Sequence, residues 1–225
     1  MKIYSLNDSV SEEAGDFDAK RDVVVFRITD IRQGVKNNNR ANIFVNGKFS
    51  FSLDIAQLVD LKLKAGEEIS EAELAEYKRM SEFGKLYQRT LEWVLTRPRS
   101  EKEVSDYLYK KVYEKKLDKD YISSIVEKLK SKKYLDDEVF ARWYVENRFV
   151  KKGVSAKRLK LELAKKGVAR EIVGRVLEDS ERNDEDEIRK VIMKKRAKYD
   201  DEKLIQYLCR QGFDFELVKS LVDKN

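Results

Sequence analysis

Ser155-Ala156-Lys157-Arg158-Leu159, followed by Leu163, Gly167, Ile172 and Val176, returns 45 residues later as Asp200-Asp201-Glu202-Lys203-Leu204 with Leu208, Gly212, Leu217 and Leu221. Fifty-five residues earlier, Ser100-Glu101-Lys102-Glu103-Val104 with Leu108 fits the same frame, whereas Ile122 and Val126 fit at an offset of 50. The first copy therefore carries five extra residues between these helices. Apolar residues at i and i+4 give each segment one buried stripe, and Ser100, Ser155 and Asp200 stand where a helix N-cap is needed. Each copy reads as three short helices: a first over about 84–96, 136–150 or 184–198, a capped second, and a third. Repetition at a fixed period means one supersecondary unit used again, so three tandem three-helix units over 81–135, 136–180 and 181–225 are expected.

Upstream the period changes from helix to strand. Val23 to Ile31 is β-branched and partly alternating, and it ends in the turn-rich Asn37-Asn38-Asn39. In Ile43-Phe44-Val45-Asn46-Gly47-Lys48-Phe49-Ser50-Phe51 the Asn-Gly pair supplies both positive-φ positions of a tight hairpin turn. Phe49 and Phe51, two apart, are expected on one buried face. Asp54 to Leu63 reads as a short helix running into Ala65-Gly66, and Ser70-Glu71-Ala72-Glu73 is a capping box that opens another. From there to Arg97 only Gly84 interrupts a helical pattern, which leaves one long helix or two joined near Ser81 to Gly84. The predicted fold is mainly α, with three helix-turn-helix-like repeats preceded by a small antiparallel, hairpin-containing domain over 21–80. Residues 1–20, with Asp8, Glu12, Glu13, Asp16 and Asp18, read as a mobile acidic tail.

Composition removes whole classes of chemistry. The 225 residues contain no histidine, which excludes Ser-His-Asp and Cys-His nucleophilic systems and His-ligated metals. The single cysteine, Cys209, allows no internal disulfide and fits a reducing compartment. Apolar runs such as Val23 to Phe26 are far shorter than the ~20 residues of a membrane span, so a cytosolic protein without membrane contact is expected. No Gly-rich phosphate loop occurs, and no cofactor is expected. Ser100 and Ser155 lack a base to activate them and are caps, not nucleophiles. Asp136, Asp137 and Glu138 suit the first turn of a helix, and Gly153, Gly167 and Gly212 suit helix ends. Trp143, Tyr144 and Phe149 fall at helical spacing and are read as core. An enzyme is the least expected class.

The charge is unevenly placed. Residues 1–80 carry 12 basic against 14 acidic side chains and residues 81–225 carry 36 against 28, so the second part holds +8. Residues 142–175 alone hold 11 basic against 3 acidic groups. Such a stripe suits a polyanion or an acidic protein surface, although a lysine-rich helix face also serves solubility. In a helix-turn-helix the third helix would read bases, yet here it offers Asp118-Lys119-Asp120 and Glu127, then Arg170-Glu171 with Arg175, Glu178 and Asp179, then Asp214, Glu216 and Asp223, which are acidic or mixed. Sequence-specific DNA reading is not expected. The basic groups lie on the end of the first helix and on the second helix of the middle unit: Arg148, Lys151, Lys152, Lys157, Arg158, Lys160, Lys165 and Lys166. They are the candidate contact residues.

Several motifs in one order, Arg97-Pro98-Arg99-Ser100-Glu101-Lys102-Glu103-Val104, Tyr134-Leu135-Asp136-Asp137 with Phe140-Ala141, Arg148, Gly153, and Glu162-Leu163-Ala164-Lys165-Lys166-Gly167-Val168, resemble the RecX family of bacterial regulatory proteins. The likeness covers residues 84–180 well and the third unit more weakly. It implies a non-enzymatic, monomeric modulator that binds the RecA recombinase filament, lies along its groove, and inhibits ATP hydrolysis, strand exchange and co-protease activity, with DNA within or beside the filament as a second contact. The chain departs from the family pattern at Lys133, where glycine is frequent, and in the longer Val112 to Asp120 connection, which lacks a glycine. Shorter family members also lack the N-terminal sheet. The competing expectation is a nonspecific single- or double-stranded nucleic-acid-binding protein that acts by competing for DNA.

Overall fold

The computed structural model describes residues 25–35, 37–151, 153–180 and 182–224, with the side chains of 149–151 excepted. The acidic tail and the start of the predicted strand at Val23 lie outside them. The chain divides at Ser81/Glu82 into two compact units.

In the first, β1 (Phe26–Gln33), β2 (Arg40–Val45), β3 (Lys48–Asp54) and β4 (Glu68–Ile69) form one sheet in the order β3-β2-β1-β4, with every neighbouring pair antiparallel. Asn46 (φ 50°) and Gly47 (φ 77°) occupy the two positive-φ positions of the β2–β3 turn, as the Asn-Gly pair requires. One expectation fails there. Phe51 is buried, but Phe49 is 55% exposed and meets Phe44 edge-on. The register steps from Phe44↔Phe49 to Ile43↔Phe51, so Ser50 is an extra residue in β3. A one-residue bulge breaks the two-residue alternation and puts the two phenylalanines on different faces. Ile28, Ile43, Phe51, Leu53 and Ile69 form the buried side of the sheet, and α1 (Ile55–Asp60) follows through a reciprocal Asp54–Gln57 capping box.

Helix α2 (Glu71–Leu95) opens on the Ser70–Glu73 capping box and is one continuous helix, which settles the choice left by the sequence. Its last turns begin the second unit with Leu86 and Val94 buried. Then follow α3 (Glu101–Lys115) and α4 (Asp120–Ser131); α5 (Asp137–Lys151), α6 (Ala156–Lys165) and α7 (Arg170–Glu178); α8 (Asp184–Lys195), α9 (Asp201–Arg210) and α10 (Phe215–Val222). Each triplet encloses its own core, around Leu108 and Leu129, around Leu163 and Val176, and around Leu208 and Leu221. The second helices are built alike. Ser100, Ser155 and Asp200 accept the backbone N–H of Glu103, Arg158 and Lys203, satisfying one of the donors a helix start leaves open. Each of these helices buries a matching pair, Val104 with Leu108, Leu159 with Leu163, Leu204 with Leu208.

Their ends match as well. Gly167 (φ 82°) and Gly212 (φ 90°) turn the chain out of α6 and α9, with Val168 N–H reaching Leu163 O at 3.2 Å and Phe213 N–H reaching Leu208 O at 3.4 Å. This is the left-handed helix stop that glycine accommodates without strain. In the first repeat Lys116 takes the same conformation (φ 53°), and Lys133 does so after α4 (φ 60°). Both departures from the family pattern therefore hold lysine in a glycine conformation.

Consecutive repeats are joined by a repeated device. Asp137, opening α5, accepts the N–H of Glu101 at the start of α3 (2.8 Å), and Asp184, opening α8, accepts the N–H of Ala156 at the start of α6 (3.0 Å). The start of each second helix also packs on the glycine stop of the next one. A Cβ on Gly167 would lie 2.7 Å from Lys102 Cβ, and one on Gly212 would lie 2.6 Å from Ser155 Oγ. Ser155 Oγ donates to Gln211 O there (2.9 Å).

Candidate partner-binding face

Of the eight basic residues singled out by the sequence, the structure draws three into ion pairs. Glu162, on α6, accepts two hydrogen bonds from Arg148 (2.9 and 2.6 Å), one from Tyr144 Oη (2.8 Å) and one from Arg158 Nε (3.2 Å). Arg158 also donates to Gln211 of the third repeat (2.8 Å). Burial works against the Glu162 carboxylate, but the hydrogen bonds from Arg148 and Tyr144 and the Arg148 charge outweigh it and hold its pKa below the ordinary range. Tyr144 is pushed upward, first by burial and then by its bond to Glu162. The fork-to-carboxylate geometry of Arg148 is the strong, planar kind. Arg148 and Arg158 thus fasten α5, α6 and α9 together.

Lys166 serves a second junction. Its Nζ lies 2.5 Å from Glu103 of the first repeat, which also takes Arg97 at 3.0 Å. Burial raises the Glu103 pKa, and the bonds from Lys166 and Arg97 more than reverse this. Arg97 in turn stacks over Trp143, 5.0 Å from the ring centroid. Trp143 and Tyr144 pack against the middle core as half-buried residues. The side chains of Phe149, Lys151 and Lys152 lie outside the described residues.

Lys157, Lys160 and Lys165 remain. All three are exposed on α6, and none has an ion pair among the described residues. An α-helix spaces such groups around its outer surface while Leu159 and Leu163 anchor the inner one. With Glu162 already neutralised by two arginines, the positive charge on this surface is uncompensated locally.

Sequence reading missed two features of the same face. Leu161 is 59% exposed in the middle of the lysines. On one side of it Leu161, Ala164, Val168 and Val173 line an apolar groove of about 320 Å³ between α6 and α7, edged by Lys160 and Arg170. On the other, Lys157, Lys165 and Arg210 edge a more polar groove toward α9. Leu161 falls outside the i, i+4 core pair, and that misfit was the available signal. Among the described residues no cluster of three or more His, Cys, Asp or Glu side chains could hold a metal, and no helix is long and apolar enough to cross a membrane.

Residues 26–70 match the family model of the regulatory protein RecX N-terminal domain, and residues 136–177 match that of the RecX second three-helix domain. The chain is 32% identical over 206 residues to the regulatory protein RecX of Bacillus subtilis (strain 168), covering 88% of this chain and 76% of that one. It is also 32% identical over 204 residues to the RecX of Listeria monocytogenes serovar 1/2a, covering 86% and 74%. A crystal structure of regulatory protein RecX shares the fold with a TM-score of 0.67 at 22% identity, over 88% of this chain and 99% of that chain. A second, of RecX from Lactobacillus salivarius, gives 0.50 at 23% identity, over 63% and 95%. On the strength of these matches to a sheet-bearing N-terminal domain and a repeated three-helix unit, the chain belongs to the RecX family of regulatory proteins.

Proposed function

We propose that this protein is a cytosolic, non-enzymatic regulator that binds the RecA recombinase filament and inhibits its ATP hydrolysis, strand exchange and co-protease activity in DNA repair. Family membership supports a regulatory role, and one observation carries the choice of contact surface: Lys157, Lys160 and Lys165 stand exposed on a rigid helix beside a carboxylate already taken by Arg148 and Arg158. Charges held on such a framework give a filament an electrostatic surface to dock on and steer the encounter. Lys166, Arg148 and Arg158 act in this reading by holding the repeats in register. Lys151 and Lys152 extend the basic run along the sequence.

The test is RecA ATP hydrolysis on single-stranded DNA, with this protein titrated in and DNA in excess. Inhibition far below stoichiometric coating of the DNA is expected. An effect that disappears as DNA is added supports instead a nonspecific nucleic-acid binder competing for strands, whose affinity falls steeply with salt in the absence of RecA.

A further inference from the structure

Two residues of the middle repeat break the pattern of the other two, and both lie in one groove. Leu161 is exposed where the repeat frame places Asp106 in the first unit and Gln206 in the third. Gly174 sits in the middle of α7 where the frame places Ser124 and Lys219. Glycine inside a helix destabilises it by roughly 1 kcal/mol relative to alanine, and a tight internal contact usually explains it. None exists here: a Cβ added at Gly174 meets nothing within 4 Å. The chain's own packing therefore gives no reason for either residue.

Both line the α6–α7 groove of about 320 Å³. Its walls are apolar, from Ala164, Val168 and Val173, and Lys160 and Arg170 stand at its edge. Phosphates have no use for apolar walls, whereas a polypeptide can place a side chain on them and bring its backbone over a glycine.

We propose that this groove docks an acidic polypeptide segment. An apolar side chain of that segment seats beside Leu161, its backbone passes close over Gly174, and its carboxylates face Lys160 and Arg170. The missing Cβ leaves room for the approaching chain, and the basic rim selects for acidic flanks. The identity of the partner rests on the RecA reading above; the chemistry of the groove does not.

The experiment uses the full chain with Gly174→Ala and Leu161→Gln. Gly174→Ala is expected to raise the melting temperature by ~2–4 °C, since it removes a helix-interior glycine without a clash, and to weaken binding to RecA filaments on the order of 10-fold by obstructing the approach. Leu161→Gln is expected to leave the melting temperature in place and weaken binding about as much. Neither variant should change affinity for a single-stranded oligonucleotide. Wild-type affinity for filaments in both variants overturns the docking proposal while leaving the RecA reading intact.

If the wild-type protein binds no filaments, the RecA reading fails and methyl NMR decides the groove. The probes are a synthetic glutamate-rich peptide carrying leucines and an equally charged one without them. Shifts of Leu161, Val168 and Val173 methyls with the first peptide alone support the groove, and unmoved methyls refute it.

Discussion

Helices α6 and α9 are the same structural part used twice. Both start on a side-chain cap, bury two leucines four residues apart, and stop at a left-handed glycine. Their outer surfaces differ. Helix α6 carries four basic residues and one acidic one, whereas α9 carries two of each, and α3 in the first repeat carries four of each. The inner stripe is constrained by close packing, which punishes any change of volume. The outer surface is free of that constraint and records what each repeat meets. Function is therefore to be sought where equivalent positions diverge, and the divergence is concentrated in the middle repeat.

If the framework is shared, Leu163→Ala and Leu208→Ala, both at fully buried positions, should each destabilise the protein by about 3 kcal/mol. Denaturant titration checks this, and a large inequality between them would break the equivalence. The glycine stops come next. Gly167→Ala and Gly212→Ala each add backbone strain and a Cβ too near the preceding repeat, for an expected loss of about 2 kcal/mol.

The outer surfaces are separated by charge. Reversal of Lys157, Lys160 and Lys165 to glutamate should weaken inhibition of RecA ATP hydrolysis by about 10-fold or more with circular dichroism unchanged, while reversal of Lys203 on α9, which lies outside both grooves of that face, should leave it near wild type. Equal effects from both helices would remove the middle repeat from its special place.

A smaller effect follows from Glu162. Its pKa in the folded protein lies below the ordinary value of 4.5, so its contribution is complete above that value and is lost as pH falls through the depressed one. Glu162→Gln should therefore lower the melting temperature most at neutral pH, with the two curves converging in acid. Glu185→Gln on α8, which breaks a pair with one exposed arginine, should change the melting temperature at neutral pH far less. The smallest change is expected from Lys116→Gly, a gain of roughly 0.5–1 kcal/mol from relief of left-handed strain, reduced by the added freedom of the unfolded chain.

Much of this architecture could be read from residue order. Caps, buried pairs and stops are local: Ser155 accepts an N–H three residues away and Gly167 closes the helix it follows, so their signals lie within a few positions. The bulge at Ser50 escaped because register is a relation between strands, and Phe49 and Phe51 look equivalent from one strand alone. Asp137 was legible as a first-turn acid, yet it spans to another repeat, as does Asp184. Among the candidate contacts, lysines and arginines could not be sorted by composition. A charge is neutralised by whatever faces it, and Glu103 faces Lys166 across 63 residues.

The sequence by itself determined the class, the repeat and the position of the basic segment, because periodicity, caps and charge are properties of neighbouring residues. Only the tertiary structure decided which of those charges are already paired, that Leu161 stands outside the core, and that Gly174 opens onto an apolar groove. Each of these depends on how helices distant in the chain are packed, and packing sets the partner, the exposure and the space around a side chain.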